Sequence, residues 1–143
     1  MLRSGNDCAL MLAKSVGGSV DRFVEMMNEK ARDIGMKQTH FSNPSGLDEE
    51  DEGNLSTVKE MAILYRYCCQ NPLFNQIVKT KEYKRLDGKG YWHNKNRLLK
   101  EYPYCVGGKT GYTKKAKRTL ITRAIKKQVD LIIVTFNCGN DFE

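Results

Sequence analysis

Asn71-Pro72 divides this sequence into two patterns that no single kind of secondary structure accommodates. Proline removes a backbone donor and drives the residue before it out of the helical region, so a helix is expected to stop there. Ahead of it, apolar residues recur at the 3.6-residue period of helices. Val20, Phe23, Val24, Met27, Ala31 and Ile34 fall on one face between a capping Ser19 and a terminating Gly35. The dense apolar run at residues 9–13 reads as a buried helix from Asn6 to Val16, closed by Gly17-Gly18. Val58, Met61, Ala62, Tyr65 and Cys69 mark a third helix, opened by Ser56 or Thr57 with Glu60 placed for a capping box.

Behind Pro72 the period changes. "NQIVKTKEYKRL" and "GYWHNKNRLL" flank an Asp87-Gly88 turn, and "KRTLITRAIKKQVDLIIVTFNC" doubles back through residues 126–130; all of these read as strands. Helices over residues 1–72 followed by antiparallel strands over 73–143 predict an α+β fold, with a helical layer against a sheet. Its 143 residues suffice for one domain or a large part of one.

Charge and cysteine usage exclude several function classes. Residues 1–78 carry 8 basic and 11 acidic side chains, residues 79–143 carry 16 and 6, so the net charge of +7 belongs to the second half. Such a half suits an anionic polymer or a carboxylate-bearing substrate. Its basic residues are dispersed and its aromatics form no stacking motif, which argues against nucleic acid. Five consecutive acids, residues 48–52, repel one another into a surface loop. The cysteines Cys8, Cys68, Cys69, Cys105 and Cys138 lack C-x-x-C spacing and are expected to be free and mostly buried. His40 and His93 stand without partners at metal-ligand spacing, so neither a metal nor another cofactor is expected. No run approaches the ~18 apolar residues of a membrane span, and "MLRSGNDCAL" does not resemble a signal peptide; any export signal is expected outside this chain.

"VGGKTGYT", residues 106–113, poses the functional question. A phosphate-binding loop needs a glycine five positions before Gly108, and Pro103 stands there without an N–H to offer. The alternative use of Lys109-Thr110-Gly111 needs a companion, and Ser4-Gly5-Asn6 supplies it about a hundred residues earlier. Ser-x-Asn and Lys-Thr-Gly are two of the three elements of active-site serine penicillin-recognising enzymes. Together with "SVDRFVEMMNEKARDIGMKQTHFSNPSGLD", "STVKEMA" and "NRLL", they make nearly the whole chain resemble the low-molecular-mass D-alanyl-D-alanine carboxypeptidases of bacterial cell-wall metabolism.

That resemblance implies a β-lactamase/transpeptidase-like fold in an extracytoplasmic protein of the cell envelope. The implied substrate is a peptidoglycan stem peptide ending in D-Ala-D-Ala, and the intact parent would also react with β-lactams. Lys109 and Thr110 would bind the terminal carboxylate, Gly111 would leave room for substrate along the strand, and the Tyr112 N–H would donate to an oxyanion hole. Ser4 would take part in proton transfer, and the Asn6 amide would hold the substrate backbone. Without the resemblance, Ser4 and Asn6 read as helix-capping residues.

The third element, Ser-x-x-Lys, normally lies some fifty residues before Ser-x-Asn. The only match here, Ser56-Thr57-Val58-Lys59, follows it and coincides with a helix start, so it is expected to be a cap rather than the nucleophile. The chain therefore resembles a middle-to-late fragment, inactive by itself, whose exposed sheet edges could support self-association. Two other readings share these motifs. A class A β-lactamase would need a Glu-x-x-Leu-Asn deacylation element, which is not recognisable here. A non-catalytic module would hold peptidoglycan or another anionic polymer through the basic half.

Overall fold

The structure is a computed structural model and describes residues 1–50 and 53–139. Helix α1 (Asn6–Gly17) turns into α2 (Val20–Asp33) through Gly17-Gly18, and the two pack together. A Cβ on Gly17 would lie 2.8 Å from the Phe23 nitrogen, so only glycine permits so close a reversal. Ser19 caps α2 by accepting the Arg22 N–H, as its position in the sequence predicts. The expectation that α1 is buried is not met. Only Ala13 is inaccessible, while Met11, Leu12 and Val16 are each more than 60% exposed. A helix that is apolar on most of its circumference needs several neighbours, and α2 covers one side.

Thr57 caps α3 (Val58–Cys68) by accepting the Glu60 N–H. The reciprocal half of the capping box is absent because the Glu60 carboxylate turns elsewhere. It accepts the Gln38 N–H at 2.9 and 3.1 Å and the Thr39 hydroxyl at 2.5 Å, tying the segment after α2 to the start of α3. Burial pushes Glu60 up, but the hydrogen bonds from Thr39, Gln38 and Lys37 outweigh it and hold the carboxyl below its ordinary range.

Two segments read as strands are helical. Pro72–Lys79 forms α4, with Pro72 in its first turn and Asn71 accepting the N–H groups of Leu73 and Phe74. Asn71-Pro72 thus ends one helix and starts the next, since proline's missing donor costs nothing at the first helical position. Leu98–Glu101 forms the short α5, with the Asn96 side chain accepting the Leu98 N–H. Between them, β1 (Glu82–Lys84) and β2 (Tyr91–His93) pair as an exposed hairpin around Asp87-Gly88, the Tyr83 and Trp92 rings stacked.

The second half ends in an antiparallel sheet of β3 (Cys105–Thr113), β4 (Lys117–Lys126) and β5 (Val129–Cys138), in that order. Helix α3 packs on β5 and β4, and α4 packs on β3. Tyr65 and Phe74 meet edge to face at 5.4 Å, and Met36, Tyr65, Val78, Leu99 and Cys105 form the buried apolar set with Ala13 and Ala31. Among the described residues β3 and β5 each pair on one side only, and Val129, Leu131 and Ile133 of β5 are exposed. The cysteines are free, but only Cys105 is buried; Cys8 is exposed and the others are half-buried. The acidic run reaches the β3–β4 turn: Asp48 accepts the Lys115 N–H at 3.0 Å, and the Lys115 ammonium donates to the carbonyls of Glu49 and Glu50. Asp51 and Glu52 lie outside the described residues.

Candidate active site

Strand β3 carries Lys109 in the middle of a segment that tolerates almost no added volume. A Cβ on Gly107 would lie 2.6 Å from the Val78 side chain, and one on Gly108 would lie 2.3 Å from the Ile121 carbonyl oxygen and 2.6 Å from Asn96 Nδ2. The chain bulges between Cys105 and Gly107 and then pairs regularly, Lys109 opposite Ile121 and Thr110 opposite Leu120. The glycines let α4 and the loop before α5 close directly on the backbone, which fixes where Lys109 emerges.

Lys109 Nζ donates to Ser4 Oγ at 2.7 Å, joining residues 105 positions apart. It also donates to the Thr110 carbonyl. Burial pulls the Lys109 ammonium below the ordinary lysine range, and the nearby charge of Lys95 adds to that shift. Ser4 sits in the left-handed region, φ 54°, which few non-glycine residues occupy, immediately before α1. The residue capping α1 is Gly5, without any side-chain cap bond, so neither Ser4 nor Asn6 performs the capping that their residue types suggest. Asn6 opens α1 two residues from Ser4 and is half-buried.

Thr110 is half-buried beside Lys109, while Gly111 and Tyr112 are exposed along the same strand. A Cβ on Gly111 would lie 2.5 Å from the Thr119 hydroxyl, so this glycine also makes room for a cross-strand neighbour. Because β3 pairs only with β4 among the described residues, alternate N–H and C=O groups along its other edge face away from the sheet. The structure thus brings Ser4 to Lys109 and sets Thr110, Gly111 and Tyr112 in line beyond them.

Ser56 has different neighbours. Its hydroxyl is within 2.8 Å of the Thr39 hydroxyl and 3.4 Å of the Thr57 carbonyl, and Lys59 is exposed on α3. No three acidic, histidine or cysteine side chains among the described residues are grouped to hold a metal ion. Sequence reasoning singled out neither Lys95 nor Asn96. Asn96 is 2% exposed against Gly108, and the clue lay in "HNKN", two loop-forming asparagines around a lysine just ahead of the Lys-Thr-Gly strand.

Comparison with known structures places this arrangement in the α+β fold of the penicillin-binding DD-peptidases. A D-alanyl-D-alanine carboxypeptidase from Mycobacterium tuberculosis superimposes with a TM-score of 0.87 at 34% identity, over 96% of this chain and 53% of that one. Penicillin-binding protein D2 from Listeria monocytogenes, in its cefotaxime-bound form, superimposes at 0.88 with 26% identity, over 98% of this chain and 56% of that one. The D-alanyl-D-alanine carboxypeptidase family model matches residues 1–140, and the chain belongs to that family. Among curated relatives it is 39% identical to the carboxypeptidase DacF of Bacillus subtilis over 99% of its own length, and 37% identical to DacB2 of Mycobacterium tuberculosis over 93%. It spans 37% and 46% of those two proteins.

Proposed function

We propose that this chain is the substrate-binding and proton-transfer portion of a serine D-Ala-D-Ala carboxypeptidase acting on peptidoglycan stem peptides in the bacterial cell envelope. The observation that carries the reading is the 2.7 Å hydrogen bond between Lys109 Nζ and Ser4 Oγ, which unites the two motifs of the family at one point. Lys109 and Thr110 bind the terminal carboxylate by charge-assisted hydrogen bonds. The free edge of β3 aligns the peptide, Asn6 holds its backbone amide, and the Tyr112 N–H contributes to the oxyanion hole.

The chemistry is acyl transfer. A serine oxygen attacks the penultimate carbonyl, the C–N bond to the last D-Ala breaks, that amine leaves with a proton passed through Ser4, and water then hydrolyses the ester. The attacking serine belongs to the family's Ser-x-x-Lys element, and we assign that role to neither Ser4 nor Ser56. A β-lactam, which carries a carboxylate of its own, would use the same Lys109-Thr110 contact. Among the described residues β3 and β5 each leave one edge unpaired, which also favours self-association at high concentration.

The test is equilibrium binding of diacetyl-L-Lys-D-Ala-D-Ala and of its C-terminal amide, followed by NMR titration. The acid should bind roughly tenfold or more tightly than the amide, and Lys109→Met should abolish the difference, since a hydrogen bond to a charged group contributes about 1.5–3 kcal/mol. Equal affinity for acid and amide in the unsubstituted protein would overturn the reading. Intact mass after incubation with penicillin should be unchanged; an adduct at Ser56 would return the nucleophile's role to that residue.

A further inference from the structure

The β1–β2 hairpin packs mainly on itself. Every residue of its two strands is exposed, and neither strand makes a comparable contact with another element. Asn94 closes its base, donating its backbone N–H to the Lys81 carbonyl at 2.8 Å and its side-chain amide to the Thr80 carbonyl at 3.0 Å. The tip is held from within. The Arg85 backbone N–H donates to the Gly90 carbonyl at 2.9 Å, and Asp87 Oδ1 accepts from Arg85 Nε and from the Lys89 N–H, each at 3.0 Å. A two-stranded hairpin without a core to rest on is marginal alone, yet this one holds its apolar side chains out in water. Leu86 at the tip is 94% exposed, more than any other large hydrophobic residue described, and Tyr83, Tyr91 and Trp92 are each about half exposed.

The charges around these side chains are one-sided. Residues 81–93 carry four basic and two acidic groups. Both acids have partners inside the hairpin, Asp87 in Arg85 and Glu82 in His93, whose Nδ1 is 3.4 Å away. Lys81, Lys84 and Lys89 are exposed and have no carboxylate partner among the described residues. An aliphatic tip, tryptophan and tyrosine behind it and lysines beside them suit the boundary between acyl chains and anionic headgroups. A soluble anionic polymer would use the lysines and leave Leu86 in water. A glycan needs a bare ring to stack on, whereas Trp92 is stacked with Tyr83 and has the Arg85 guanidinium 5.7 Å from its centroid.

We propose that the β1–β2 hairpin is a peripheral membrane-binding element, seating Leu86 among the acyl chains and its aromatic rings and lysines at the headgroups of an anionic phospholipid surface. No helix among the described residues is long and apolar enough to cross a membrane, and this contact is interfacial. It does not depend on the carboxylate role of Lys109.

Trp92 is the chain's one tryptophan, so its emission reports directly on the hairpin. The experiment titrates the chain with vesicles of phosphatidylglycerol and phosphatidylcholine in equal parts, and with phosphatidylcholine alone, at low and at physiological ionic strength. With the anionic vesicles the emission should shift to shorter wavelength and be quenched by lipids brominated close to the headgroup, and salt should weaken the partitioning. Leu86→Ser should weaken it about fivefold to tenfold, and Lys84→Glu combined with Lys89→Glu about tenfold or more. These side chains are exposed, so Tm should not change. Leu12→Ser, on the exposed part of α1, should behave as the unsubstituted protein. Emission that does not shift with anionic vesicles would overturn the inference, as would a shift that survives Leu86→Ser, one lost in Leu12→Ser instead, or equal partitioning into phosphatidylcholine alone. Binding to soluble polyphosphate as tight as to the vesicles and indifferent to Leu86→Ser would replace the lipid with an anionic polymer and overturn it too.

Discussion

Gly108→Ala tests whether the strand that presents Lys109 is as tightly clamped as its geometry indicates. The new methyl would begin 2.3 Å from the Ile121 carbonyl oxygen, 2.6 Å from Asn96 Nδ2 and 3.1 Å from the Thr122 Cα. An ordinary contact is about 3.5–4.0 Å, so about 1 Å of relief or more is needed on two sides at once. Ile121 cannot yield cheaply, because its carbonyl is main chain in a strand paired on both edges. Asn96 cannot yield freely either, since it is buried and bonded to Leu98 and Asn94. Overpacking of this kind costs about 1–3 kcal/mol, which for a chain of this size lowers Tm by roughly 3–12 °C. Gly88→Ala is the contrast: nothing lies within 4 Å of its added Cβ, but its φ is 72°. Its cost is one of backbone conformation, about 1–2 kcal/mol, and Gly88→Asn should recover much of it. The assay is thermal denaturation with amide exchange. Gly108→Ala should speed exchange along β3 and at Leu98, and Gly88→Ala only around the β1–β2 turn. A Gly108→Ala protein with unchanged Tm and unchanged exchange at Leu98 would refute the clamp.

Thr57→Ala removes the cap of α3 and should cost about 1 kcal/mol, read as a lower Tm with faster exchange at Glu60; an unchanged Tm would mean that the Glu60 contacts alone hold that end. Asp48→Asn should separate the acidic loop from the β3–β4 turn. Hydrogen bonds from the Thr113 hydroxyl and then the Lys115 N–H hold the Asp48 carboxyl below its ordinary range. A folded-state pKa below the unfolded one gives stability that is complete above the unfolded value and is lost as pH falls through the folded one. The gap between the unsubstituted and Asp48→Asn proteins, followed by denaturant titration, should therefore be constant near neutrality and close in acid; a gap independent of pH would count against the carboxylate.

How far the sequence discloses the fold depends on whether the information is local. Helix α2 is legible because its cap, its apolar face and its terminating glycine lie within one stretch of chain. The β4–β5 hairpin is legible because two β-rich runs meet across a two-residue turn, residues 127–128. Helix α4 is misread because proline stops a helix from the inside and starts one from its first turn, and the residue types around Asn71 permit both. Helix α1 is misread because apolar density says that a helix wants burial without saying whether a partner is present.

The site follows the same rule with a different outcome. Nothing local couples Ser4 to Lys109 across 105 residues; only the ordered recurrence of the family's motifs does, and the hydrogen bond then agrees with it. Asn96 escapes that route as well, since an asparagine in a polar loop reads as solvated until it is seen against Gly108. The two adjacent glycines explain why the loop can come so close. Gly107 admits Val78 and Tyr65, Gly108 admits Asn96, and the backbone between α4 and the Asn94–Asn96 loop is left no slack one residue before Lys109. A strand held so tightly fixes where its lysine emerges.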